Sequence, residues 1–334
     1  MTVGMGYDSW CSVVEETTYG TTPGTGETYL RFVNESIVKD IGVKPRKSLA
    51  AMAGYRDFME SCHKIGGDLV LELNYEGMGL FIKHALGTQG YGFTADSPVA
   101  GANTHVFKIH EALTHTSNEG LSIEIAKANI PSGKVFLYEG CSVNTLRWTF
   151  TDGEIVEMVA GLLCSTETAN TSASGTPAYP TDVPVYWRYA GALNFLGEAS
   201  TPLRSGYIQI DNKLSADRYL LNEALPAPLR TDHRVISGEF VIEFEDLTEY
   251  NKYLGLTTGA IDITFSSVAD LVYITGTTPY TIKFDIPKAI LTAAPTTIGG
   301  PGPIEVTYAF QGMYKDADED ELIITVVNGE ATLA

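Results

Sequence analysis

A chain of 334 residues, 44% hydrophobic, is long enough to bury two ordinary cores of roughly 150 residues each. Its formal charge of −19 repels polyanions, which excludes a basic groove for stable nucleic-acid binding. No window approaches 18 uninterrupted apolar residues, and Met1 to Asp8 has neither a basic n-region nor an apolar h-region, so a soluble protein without a signal peptide or membrane partner is expected.

Residues 1–26 are rich in glycine and threonine, with turn chemistry at Thr21-Thr22-Pro23-Gly24, and read as an N-terminal arm. Alternation from Tyr29 to Ser36 predicts a first strand. Leu49 to Phe58 suits a short helix or a long loop, and Gly67-Asp68-Leu69-Val70-Leu71-Glu72-Leu73 reads as a second strand. Gly79 to Leu86 has helical character and is stopped by Gly87. After a polar loop come the alternating runs Val106–Ile109 and Leu121–Ala126. A long hairpin follows, Cys141–Phe150 turning at Asp152-Gly153 into Glu154–Leu163, with Asp-Gly between alternating runs as its signal.

Much of this recurs downstream. Gly238-Glu239-Phe240-Val241-Ile242-Glu243-Phe244 repeats the Gly67 run class by class, and His63-Lys64-Ile65 is echoed by His233-Arg234-Val235. Tyr207–Leu214 matches the first strand, Leu247–Leu254 before Gly255 the helix, Tyr280–Ile286 the Leu121 strand, and Lys288–Ala294 with Ile304–Phe310 the hairpin. The separation of matched positions shrinks along the chain (Tyr29 to Tyr207, Gly67 to Gly238, Leu121 to Tyr280, Ile155 to Ile304), as when loops shorten and strands persist. The expected division is an arm over 1–26, a first β domain over 27–166, a flexible linker over 167–183 and a second β domain over 184–334.

Candidate chemistry is thin. Gly87-Thr88-Gln89-Gly90-Tyr91-Gly92 ends a helix and lacks the Lys-Ser/Thr of a phosphate loop. The run Asp316–Glu321 begins like a calcium loop but has Glu321 where glycine is needed and Val327 where a bidentate glutamate is needed, so it reads as a solvated hairpin tip. Cys62-His63 has no cysteine in its repeat, where Asp232 precedes His233. Cys11, Cys62, Cys141 and Cys164 form no CxxC pair and are expected as free thiols. No catalytic, cofactor-binding or metal-ligating residue is assigned, and the chain is not expected to be an enzyme. Trp10, Trp148, Trp187 and the tyrosines leave open a carbohydrate-binding or hydrolytic β-sandwich as the alternative.

An ordered series of motifs resembles the major tail tube proteins of long-tailed, non-contractile bacteriophages, in a two-domain form. It runs from Trp10, Glu15-Glu16 and Gly20-Thr21-Thr22-Pro23 through Phe32-x-x-Glu35-Ser36, Gly67–Leu73 and Leu80 to Leu86-Gly87. It continues with Tyr138-Glu139-Gly140-Cys141-x-Val143-Asn144, Ile210-Asp211-Asn212-Lys213-Leu214, Gly238–Asp246 and Gly299–Ile304. The resemblance implies a mainly β fold of two tandem related β-sandwich or barrel domains, each with a short helix. It implies self-assembly into stacked rings, a trimer with pseudo-sixfold symmetry or alternatively a hexamer, forming a hollow conduit for DNA. Partners would be further copies of itself, a tape measure protein and a tail terminator, in a virion tail assembled in the host cytoplasm. Another tail component, such as a terminator or distal tail protein, fits the same series. The acidic charge would keep DNA from adhering as it slides, and the arm would serve ring stacking, so that removing 1–26 would leave both domains folded.

Overall fold

The computed structural model describes residues 5–47, 54–55, 57–110, 120–127, 135–173, 175–191, 193–215, 228–297, 300–315 and 320–333. In the first half the strands are β1 (Trp10–Glu15), β2 (Thr28–Leu30), β3 (Phe32–Glu35), β4 (Val38–Pro45) and β5 (Phe58–Glu72). Helix α1 (Gly79–Leu86) precedes β6 (Tyr91–Thr94), β7 (Asn103–Lys108), β8 (Leu121–Ala126), β9 (Val135–Thr151), β10 (Glu157–Cys164) and β11 (Thr166–Thr171). The second half has β12 (Leu193–Phe195), β13 (Glu198–Thr201), β14 (Leu203–Asp211), β15 (Val235–Glu243) and α2 (Thr248–Leu254). It ends with β16 (Gly259–Ser266), β17 (Tyr273–Thr275), β18 (Thr278–Pro279), β19 (Thr281–Ala293), β20 (Glu305–Gly312) and β21 (Ile323–Asn328). The protein is mainly β, and among the described residues nineteen strands join in one hydrogen-bonded network, with β17 and β18 apart.

Pairing shows how the halves correspond. The front part of β9 pairs with β8 on one edge and β11 on the other, then with β10; β19 does the same with β16, β21 and β20. Irregularities recur at matching places. Register slips between Leu121 and Ile123 as between Gly259 and Ile261, and between Phe32 and Asn34 as between Leu203 and Ser205. Leu162 and Gly161 face Val143 and Thr145 across a slip, as Phe310 and Ala309 face Leu291 and Ala293. Slips of this kind bend a strand locally, so their recurrence marks the same curvature built twice.

Several matches expected from sequence shift under this topology. The counterpart of β8 in the second half is β16, Ile123-Glu124-Ile125 matching Ile261-Asp262-Ile263, and not the Tyr280 run, which belongs with the front of β9. Val156, not Ile155, matches Ile304, a register that aligns buried Met158, Ala160 and Leu162 with buried Val306, Tyr308 and Phe310. The Tyr29–Ser36 strand is broken at Arg31, and β3 with β4 pairs along β5 as β14 pairs along β15, placing buried Ile37 with buried Ile208. The histidine tripeptides are one residue out of step, His63 standing where Arg234 stands.

The stretch expected as an arm contains β1, which pairs with β2 and β8 and buries Cys11 and Val13 completely; β12 on β16 is its counterpart. The expected linker contains most of β11, paired with β9. Leu163 pairs with Ser142, which brings Cys164 opposite Cys141, and the two are joined as a disulfide; this corrects the expectation of four free thiols, since a hairpin brings together residues that their spacing separates. Cys11 and Cys62 are free. The Leu49–Phe58 stretch lies largely outside the described residues, as do Asp316 to Glu319.

The repeated glycines have a steric role. A Cβ on Gly238 would lie 2.2 Å from the Tyr207 carbonyl oxygen and 2.5 Å from the Phe310 ring, and one on Gly67 2.5 Å from the Ser36 carbonyl carbon. Both strands must let a neighbouring backbone come close at this point. Around them the inward residues Leu69, Leu71, Phe240 and Ile242 are buried, each stabilising the fold by roughly 1.5–3 kcal/mol.

Candidate functional site

Nine strands form a continuous antiparallel surface of eight positions, β4 and β3 sharing the first, followed by β5, β10, β9, β14, β15, β20 and β19. The seam between the two halves lies at its middle, where β9 pairs with β14 from Thr145–Asp211 to Thr151–Ser205. Because side chains alternate, one face of the surface carries the buried residues Leu71, Met158, Trp148, Ile208, Phe240 and Tyr308. The other face is solvated and acidic. Asp68, Glu72, Glu157, Asp211, Glu239, Glu243 and Glu305 share it, against Lys64, Arg147, Arg204 and Lys213, the last paired with Asp211.

The few cations on this face are engaged. The Arg147 guanidinium lies 3.9 Å from the Tyr207 ring centre across the seam, and Arg204 Nη2 reaches Glu243 Oε1 at 2.5 Å with Asp152 and Glu305 nearby. The face therefore presents carboxylates to solvent over two halves of the chain, a pattern that forms a negative field and not a pocket.

Behind the surface, each helix is seated alike on the first strands of its half. Glu15 accepts hydrogen bonds from Lys83 Nζ at 2.7 Å and pairs with His84 Nε2 at 2.9 Å, while Lys252 Nζ donates to Glu198 at 2.8 Å and to the Leu196 carbonyl at 3.1 Å. Burial works to raise the Glu15 carboxyl, but the bonds from His84 and Lys83 outweigh it and hold it down to about 2. The helices differ on their outer side. Helix α1 buries six residues and is crossed by Asn212 of the second half, whose Nδ2 donates to the carbonyls of Ala85 at 2.9 Å and Val143 at 3.1 Å. Helix α2 buries none.

A carboxylate pair ties the end of the second half to the first. Gly77 N–H donates to Glu330 at 2.8 Å, Asn328 Nδ2 at 2.9 Å, and Glu76 lies alongside. Burial, with the Glu76 charge behind it, pushes the Glu330 carboxyl up to about 7 despite those two hydrogen bonds.

The other sequence candidates are dispersed. Trp148 is fully buried against Phe284, and Trp10 packs on Tyr29. Cys62 is exposed, with His63 Nδ1 4.0 Å from Glu60. Gly87 to Gly92 passes from the end of α1 into β6. Clefts beside Met78, one toward Pro180 and Asp182 and one toward His105 and Asn328, have volumes of about 20 and 10 Å³, room for about one water. Among the described residues no group of three or more His, Cys, Asp or Glu side chains could hold a metal ion, and no helix is long and apolar enough to cross a membrane. Sequence reading did not reach the acidic face, which depends on register between strands far apart in the chain; the alternation within each strand was its only local sign.

A family model described as phage tail tube protein matches residues 8–312. No curated protein matches the chain.

Proposed function

The chain belongs to the phage tail tube protein family, and from that premise we propose that it is the two-domain tube subunit of a long-tailed, non-contractile phage, three copies closing each ring. The family makes it a structural component of the virion tail that self-assembles into a tube, a role without catalysis. The observation that carries the finer reading is the continuous antiparallel surface: each half fills four positions in it in the same order, so three chains supply six equivalent wedges. We place the acidic face toward the lumen. Carboxylates there share the sign of the DNA phosphates, so a passing genome meets repulsion instead of counterion-releasing contacts.

In this reading the first domain starts at β1 and runs through β11, and the second runs from β12 through β21. Rings stack into a conduit, set in length by a tape measure protein, closed by a terminator and assembled in the host cytoplasm. Negative-stain microscopy of the purified protein is expected to show rings or tubes with threefold averages and six pseudo-equivalent lobes. Six chains per ring by native mass spectrometry would refute the trimer; a monomer at every concentration and salt would refute the tube.

A further inference from the structure

Beyond β21 the chain leaves the sheet, and residues 329–333 lie as a strap on the first half at the entry to α1. Both glycines of Glu76-Gly77-Met78-Gly79 serve it. The Gly77 N–H donates to Glu330 Oε1 at 2.8 Å, and Gly79 leaves the space that Leu333 fills, since a Cβ there would lie 2.2 Å from Leu333 Cδ2. Gly329 passes Glu76 as closely, a Cβ on it lying 3.1 Å from Glu76 Oε1. His105, fully buried on β7, holds the backbone of the strap: its Nε2 donates to the Glu330 carbonyl at 3.1 Å while its Nδ1 accepts from the Tyr91 hydroxyl at 2.8 Å.

The strap therefore closes by setting two carboxylates side by side. Glu76 is 8% exposed and accepts from the Thr181 N–H at 3.2 Å; Glu330 accepts from Gly77 and, at Oε2, from Asn328 Nδ2 at 2.9 Å. Among the described residues no lysine or arginine pairs with either. The other titratable groups around them bring no compensating charge. Burial holds His105 below the ordinary imidazole range, pushes Tyr91 up to about 12 with the Glu330 charge behind it, and raises Tyr280 with the Glu76 charge behind it. Asp182 is engaged by Asn74 at 3.1 Å and by Arg31 at 3.6 Å. Glu330 is left as the group whose charge changes near neutral pH.

We propose that residues 329–333 form a proton-held latch: with Glu330 protonated the strap lies closed beside Glu76, and loss of that proton sets two negative charges in one partly buried space and releases Glu330 and Leu333 from Gly77 and Gly79. The pairing of β7 with β21 continues beneath the strap, so the latch opens without parting the two halves. Opening bares an apolar seat at the start of α1, where Met78, Ile82 and Phe107 surround the cleft of about 10 Å³. Because the Glu330 carboxyl is raised from 4.5 to about 7, the closed form is fully favoured below pH 4.5 and loses that advantage as pH rises through 7. The latch belongs to the single subunit and stands apart from the ring reading.

Hydrogen–deuterium exchange of the full chain at pH 5.5, 7 and 8.5, each rate divided by the intrinsic rate at that pH, reads the latch at the Gly77 amide. Opening there is expected to rise roughly thirtyfold from pH 5.5 to 8.5 in the wild type and to stay flat in Glu330→Gln, while the amides of β7 and β21 remain protected throughout. Gly77 protection that is independent of pH, or that falls equally in Glu330→Gln, overturns the latch, as does loss of protection along β7 and β21 together with Gly77. Leu333→Ala, which weakens the seat and leaves both carboxylates in place, is expected to raise opening at all three pH values and to keep its pH dependence; unchanged opening in this variant overturns the part assigned to Leu333.

Discussion

Asn212 tests how firmly the two halves are locked. It is fully buried, its Nδ2 donates to the Ala85 carbonyl at 2.9 Å and the Val143 carbonyl at 3.1 Å, and its backbone N–H donates to Asn144 at 2.8 Å. Ala85 lies in the last turn of α1, where carbonyls have no intrahelical donor, and Val143 lies at the register slip between β9 and β10. The side chain thus serves two acceptors that secondary structure leaves open. Asn212→Leu keeps the volume and removes both donors. Two stranded buried carbonyls cost about 2–5 kcal/mol together, and the added apolar burial offsets roughly 1 kcal/mol of that, leaving a net loss of about 1–4 kcal/mol. Urea unfolding of the dilute subunit, followed by tryptophan fluorescence, measures it as a fall in midpoint at unchanged slope. The control is Ile41→Leu on β4, which stands where Asn212 stands in the second half but is exposed, expected within about 0.5 kcal/mol of wild type. A loss below about 1 kcal/mol for Asn212→Leu would refute the claim that this amide satisfies both carbonyls.

Three further expectations follow from the same geometry. Because the Glu330 carboxyl is raised from 4.5 to about 7 by burial and Glu76, its favourable contribution is complete below pH 4.5 and is lost as pH rises through 7. Glu330→Gln should therefore stabilise by about 2 kcal/mol at pH 8 and by little at pH 5, read from thermal midpoints at the two pH values; equal shifts at both would reject the assignment. Gly238→Ala, forcing a methyl against the Tyr207 carbonyl and the Phe310 ring, should cost about 2–3 kcal/mol in urea, whereas Gly300→Ala, with open space around it, should be neutral. Deleting residues 1–26 should abolish cooperative unfolding of the first half by removing β1, while deleting 1–9 should leave circular dichroism and midpoint unchanged.

How far the sequence could be read depended on whether a signal was local. Helix α1 with its glycine stop, the Asp152-Gly153 hairpin and the Gly67 and Gly238 strands were legible, because periodicity, turn residues and chain reversal operate within a dozen residues. Matching of the two halves was legible only in outline. Alternating strands resemble one another when slid along the chain, so chemical likeness sets Tyr29 against Tyr207, although the break at Arg31 turns the strand and makes Ile37 the true counterpart of Ile208. The pattern Ile-acid-Ile at Ile123 and Ile261 holds the correct match of β8 with β16, but a loop of different length hides it. The Cys141–Cys164 bond and the acidic face were not legible, since both are set by which strands lie side by side.

The β6–β7 hairpin belongs to the first half alone, and β7 binds β21 along six residues from Asn103–Asn328 to Lys108–Ile323. In the proposed ring it therefore reinforces every joint inside a chain and none between chains. Such a wall is mechanically uneven, with three stiff joints alternating with three compliant ones. Under bending load the compliant joints take up the strain, so a tube built this way flexes along three longitudinal lines and leaves the fused pairs of domains undeformed.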